Sequence, residues 1–130
     1  MNNKQKRYFI IGGILIALSI ILGAFGAHAL KQLLVNFPEK LVSFETGVRY
    51  QIYVGFSFLF LGLIESKINV KLIASFWLIG MIFFSLSIYL LALNPLFGIN
   101  LGFLGPITPI GGLFLIIGWV ILVLKLIKHK

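Results

Sequence analysis

Four apolar runs, spanning about residues 8–28, 46–65, 72–93 and 104–126, take up most of this chain of 130 residues. An α-helix rises 1.5 Å per residue, so crossing a hydrocarbon core of ~30 Å takes about 20 of them. Each run meets that length. The chain is 60% hydrophobic and only 11% charged, with a mean hydropathy of +1.10. A soluble domain carries about 25% charged residues and cannot hide this much apolar side chain at this size. Lipid is therefore the expected solvent. The predicted fold class is all-α: one membrane domain, residues 1–130, built as a bundle of four transmembrane helices.

Charge agrees with that reading. Lys4, Lys6 and Arg7 precede the first run, Lys67 and Lys71 separate the second from the third, and Lys125, Lys128, His129 and Lys130 close the chain. The other side receives only Lys31, Lys40 and Arg49. Cytoplasmic loops of membrane proteins carry the excess of Lys and Arg. Both termini are thus expected in the cytoplasm. A net charge of +8 in a soluble protein would suggest nucleic acid. Cations flanking apolar runs fit anionic lipid instead, so lipid is the expected partner, along with a second copy or another membrane protein, and nucleic acid is not. Ala27-His28-Ala29 has the look of a signal cleavage site, but the run before it is too long for a signal and three more spans follow.

Small residues recur at helical spacing. Ser19, Gly23 and Ala27 lie four apart, Gly55 and Gly62 seven apart, and Gly111 and Gly118 seven apart. Such stripes let two helix backbones approach closely in lipid. The stretch from Lys31 to Ser43 mixes apolar and polar residues, and Phe37-Pro38-Glu39 reads as a helix start, with Pro in the first turn and Glu at the positive helix end. A short interfacial helix between the first two spans is predicted there. The third span is expected to stop near Leu93, before a turn-rich loop from Asn94 to Gly102. Gly105 to Gly112, with Pro106 and Pro109, is expected to break the start of the fourth span.

The polar residues near hydrocarbon are few. Glu45, Arg49 and Tyr53 lie four apart and form one stripe at the entry of the second span. His28 stands where the first span ends. A cluster of His28, Glu45, Arg49, Gln51, Tyr53 and Thr108 is the candidate site. Its functional reading is a titrating or charged group lining a pocket. Its structural reading is a capping His, an interfacial ion pair and interhelical glue, which carries more weight. Tyr50, Ser85, Ser87 and Tyr89 could join that network, with Arg49 and Gln51 approaching the freed carbonyls at Thr108-Pro109. No enzyme signature appears. The acids are Glu39, Glu45 and Glu65, the last on the opposite side, and the two His lie at opposite faces. The absence of Cys excludes disulfides, thiolate catalysis and Cys-based metal sites. No catalytic residue, metal or cofactor is expected.

Four stretches in fixed order carry a resemblance: Gly23 to Leu30, Thr46 to Tyr53, Phe84 to Tyr89, and Ile107 to Gly112 with Gly118-Trp119. They resemble a family of small bacterial inner-membrane proteins, domain of unknown function 423, related to eukaryotic transmembrane protein 256. The resemblance covers essentially the whole chain. It implies four transmembrane helices and no established biochemical role. Two positions depart from the family pattern: Val54 stands where a His is usual, and Leu86 where a Gly separates the two Ser. The expected function is a non-enzymatic bundle that binds lipid or a membrane partner. The alternative is a small channel or transporter using His28, Glu45 and Arg49.

Overall fold

The computed structural model describes residues 1–129, and among them every regular element is helical. Lys130, one of the C-terminal cations, lies outside the described residues. Four rods emerge. The first joins α1 (Asn3–Phe25), a π turn (Gly26–Leu30) and α2 (Lys31–Leu33). The second is α3 (Pro38–Ile64). The third joins α4 (Lys71–Met81), a π turn (Ile82–Leu86) and α5 (Ser87–Phe97). The fourth follows a 3₁₀ turn (Gly102–Leu104) with α6 (Ile107–Lys128). All four are long and apolar enough to cross a membrane.

Local chemistry explains where the rods start and stop. Asn2 caps α1, accepting from the Gln5 amide at 2.8 Å while the Gln5 side chain accepts from the Asn2 amide at 3.0 Å. Two orphan donors of the first turn are satisfied at once. Pro38 opens α3, as its fixed φ and missing N–H allow. The helix then runs unbroken to Ile64, so no separate interfacial helix stands between the first two spans. Lys31–Leu33 instead continues the first rod, and the connection is a turn at Leu34–Asn36. The third rod likewise outlasts its expected end at Leu93. It passes through Pro95 and stops at Phe97, where Gly98 takes the left-handed conformation at φ 63°. In the fourth rod Pro109 falls in the first helical turn and Gly111-Gly112 continues the helix. The expected break is absent because those glycines are held by a neighbouring rod.

The rods lie side by side in chain order, with the second and third in the middle. The apolar stretches of the first and fourth are 22% buried, against 50% and 44% for the second and third. Two crossings bring backbones into contact. A Cβ on Gly12 would sit 2.7 Å from the Gly55 carbonyl oxygen, and one on Gly80 would sit 3.0 Å from that of Gly111. Small residues of the expected seams lie at or beside these crossings. Gly55 faces the first rod, Gly62 takes the Phe9 ring, Gly111 faces the third rod and Gly118 takes the Trp77 ring. The first seam is shifted. Ser19 is fully buried and Gly23 half-buried, but Ala27 faces outward and Gly26 meets the Phe44 ring. The π turn at Gly26–Leu30 rotates the following residues, so Gly26, Leu30 and Leu34 carry the buried face onward.

A paired substitution tests the second crossing. Gly111→Ala should destabilise the protein by about 1–3 kcal/mol through overpacking. Gly13→Ala, where nothing lies within 4 Å, should be neutral or stabilising by up to about 1 kcal/mol from helix propensity alone. Thermal unfolding in detergent reads both.

Candidate functional site

Gln51 lies at the centre of the bundle and is 4% exposed. Its Nε2 donates to the Leu15 carbonyl on the first rod at 3.1 Å, and its Oε1 accepts from the Tyr89 hydroxyl on the third at 2.7 Å. One amide thus ties three rods together. The Leu15 carbonyl also accepts from Ser19 Oγ at 2.8 Å. On the third rod, Ser85 Oγ donates to the Gly47 carbonyl at 2.8 Å, while Ser87 and Thr108 share a hydrogen bond at 2.6 Å. Residues two apart on a helix point to nearly opposite sides. Ser85 therefore serves the second rod and Ser87 the fourth.

The expected cluster divides along this line. Gln51 joins Tyr89, and Thr108 joins Ser87, but His28, Glu45, Arg49 and Tyr53 all face outward. Among the described residues no ion pair joins Glu45 to Arg49 or to His28. Arg49 does not reach the Thr108-Pro109 backbone, which is helical and needs no such donor. The spacing of Glu45, Arg49 and Tyr53 is a true stripe, but it lies on the outer face of α3. Tyr50 packs its ring 4.6 Å from Phe84 and 5.6 Å from Tyr53. Val54, where the family pattern has a His, is buried in the apolar cluster with Phe58 and Trp77. Among the described residues no group of three or more His, Cys, Asp or Glu could hold a metal ion.

Beside the Gln51 tie the first and third rods stand apart, leaving a cleft of roughly 410 Å³ floored by Gln51 and Tyr89. Leu15, Leu18 and Leu22 form one wall and Met81, Ile82 and Leu86 the other. Both floor residues spend their polar atoms on each other and on Leu15, so the surface the cleft presents is hydrocarbon. Leu86, the second departure from the family pattern, is 49% exposed on its rim. Ser85, its neighbour in the π turn, is turned inward while Leu86 faces the cleft.

Gly12, Gly80 and the cleft walls were not singled out by sequence. A signal was present: Tyr8, Ile11, Leu15, Leu18 and Leu22 alternate spacings of three and four, the mark of a helix face turned to a partner. In a run that is apolar all round, that face has no polar face to contrast with it.

The site separates two kinds of polar residue. Gln51→Leu strands the Tyr89 hydroxyl and should lower stability by about 1–2 kcal/mol, read as a drop of several degrees in thermal unfolding. Arg49→Met should stay within about 0.5 kcal/mol of the parent.

Comparison with known proteins follows the same outline. Residues 22–112 match the family model described as protein of unknown function (DUF423). A UPF0382 membrane protein of Staphylococcus haemolyticus is 37% identical over 127 residues, covering 95% of this chain and 98% of the relative. One from Staphylococcus epidermidis is 38% identical over 127 residues, with the same 95% and 98% coverage. The Bacillus subtilis UPF0382 membrane protein YwdK is 32% identical over 130 residues, covering 96% of this chain and 99% of the relative. No solved structure matches.

Proposed function

Since the chain belongs to the DUF423 family of proteins of unknown function, we propose a role that rests on its own geometry: a non-enzymatic membrane protein that holds a lipid acyl chain in the cleft between its first and third rods. The observation that carries this reading is the cleft itself. It opens sideways, its walls are leucine, isoleucine and methionine, and its floor offers no free polar atom. A surface of that kind takes hydrocarbon, the main material at that depth of a bilayer. A channel or transporter built on His28, Glu45 and Arg49 would need those side chains to converge on water-filled space. They face outward, and among the described residues no ion pair joins them.

Orientation belongs to the same proposal. The N-terminal residues, His129 and the connection from Glu65 to Val70 gather at one end of the bundle. Asn2 Nδ2 donates to Glu65 at 3.1 Å, Lys4 pairs with Glu65 at 3.9 Å, and His129 Nε2 donates to the Lys67 carbonyl at 3.0 Å. That end carries most of the Lys and Arg. We assign it to the cytoplasmic face of a bacterial cell membrane, by the usual bias of basic residues.

Native mass spectrometry of the protein released from nanodiscs tests the cleft. The parent should retain phospholipid, and Leu18→Trp, which fills the cleft from one wall, should retain several-fold less without losing its thermal transition. Equal retention by the two proteins would remove the cleft from consideration.

A further inference from the structure

Above the cleft, at the end where the termini gather, lies a second depression of roughly 500 Å³. Its lining includes Lys4, Arg7, Lys67 and Lys71 with a single carboxylate, Glu65. Lys4 is already paired with that carboxylate at 3.9 Å. Arg7, Lys67 and Lys71 carry no ion pair among the described residues. The cup is therefore a net cationic site with three guanidinium or ammonium groups to spare. The Tyr8 side chain also lines it, its ring packed 6.2 Å from Phe58.

The cup does not end in a wall. A narrower space lined by Arg7, Tyr8, Ile11, Phe58, Lys71 and Leu78 continues from it between the same two rods. On the first rod, Tyr8 and Ile11 lead at helical spacing to Leu15, Leu18 and Leu22. On the third, Lys71 and Ala74 lead to Leu78, Met81 and Ile82. On the floor, Phe58 is two turns from Gln51. The polar cup and the narrow passage share Arg7, Tyr8 and Lys71, and the apolar cleft follows between the same two rods about one helical turn further on, from Ile11 to Leu15 and from Leu78 to Met81. From Arg7 to Leu18 is eleven residues, about 16 Å of helix, close to the ~15 Å thickness of one hydrocarbon leaflet.

We propose that cup, passage and cleft form a single binding site for an anionic phospholipid of the leaflet on the terminal side. Its phosphate headgroup sits among Arg7, Lys67 and Lys71, and one acyl chain runs past Ile11 and Leu78 into the cleft. The proposal rests on the acyl-chain reading above and adds the headgroup and its charge. Basic pockets between membrane helices are suited to anionic headgroups, because Arg presents a fork of donors and Lys a point charge to phosphate oxygens. A zwitterionic headgroup brings its own cation and gains less from the cup.

The full-length protein, reconstituted in nanodiscs of equal phosphatidylglycerol and phosphatidylcholine, provides the test. Native mass spectrometry reads both the amount and the class of retained lipid. The parent should hold phosphatidylglycerol in several-fold excess over phosphatidylcholine. A cation near anionic headgroups is worth about a factor of five, so Arg7→Glu with Lys71→Glu should bring that ratio to near one while total lipid stays unchanged. Lys6→Glu with Lys128→Glu makes the same change in charge at the same end but off the cup, and should keep the preference. The headgroup site is overturned if the cup variant keeps the preference or if the off-cup control loses it equally. Lipid held by the parent without preference also overturns the headgroup site but leaves the acyl-chain reading standing. A parent that holds no lipid overturns both.

Discussion

A single side-chain amide sets the arrangement of three of the four rods. Gln51 donates to one neighbour's backbone and accepts from another neighbour's hydroxyl. In water such a bond would be a small addition to a hydrophobic core. In lipid the apolar faces gain little by leaving solvent for each other, because the solvent is equally apolar. Close van der Waals contact and polar ties must then supply the specificity. The glycine crossings at Gly12 with Gly55 and Gly80 with Gly111 supply the first. Gln51, Ser85 and the Ser87–Thr108 pair supply the second.

The two kinds of contact share the work unevenly along the rods. The glycine crossings join the first rod to the second and the third to the fourth. Between the second and third rods polar ties stand within apolar packing: Gly47 receives the Tyr89 ring and its carbonyl accepts from Ser85, while Phe44 packs on Tyr89 and Phe58 joins Trp77. The first and third rods have no crossing of their own. They are held at a distance by their common attachment to the second, and the cleft follows from that. A glycine or serine pair facing across this gap would close it, whereas the residues that face it are leucine, isoleucine and methionine.

How much of this could be read beforehand depends on what each feature requires. The four rods follow from length and hydropathy, because the thickness of the bilayer fixes the first and its solvent the second. Gly55, Gly62, Gly111 and Gly118 follow from spacing, since a stripe of small residues has few uses other than close approach. The errors arise where a local rule met a neighbouring rod. Gly111-Gly112 weakens an isolated helix, but here the third rod's backbone packs against Gly111 and the helix persists. Pro38 marks a helix start correctly, yet nothing after it marks the expected end, so the interfacial piece merges with the second span. A constant pitch of 3.6 residues puts Ala27 on the seam with Ser19 and Gly23, and the π turn adds one residue to that pitch. Spacing puts Glu45, Arg49 and Tyr53 in one stripe, and all three are exposed. Which way it faced depended on Gln51, whose partners lie 36 and 38 residues away.

The basic residues at the terminal end enter two different arguments, and physics separates them. The bias that orients a membrane protein counts Lys and Arg over a short loop with little regard to where each side chain points. Lys6 and Arg7 count equally there. A headgroup site depends on position, because a charge interaction falls off with distance and is screened within ~8 Å at physiological salt. Adjacent residues on a helix point about 100° apart, and it is Arg7, not Lys6, that lines the cup. The third rod repeats the pattern, since Lys71 opens α4 on the side that faces Arg7, with Asn69 accepting its amide at 3.1 Å. Orientation alone would have been satisfied by cations scattered over this end. Their convergence above an apolar cleft is an additional feature, and it is the one that a negatively charged headgroup with an attached acyl chain would match.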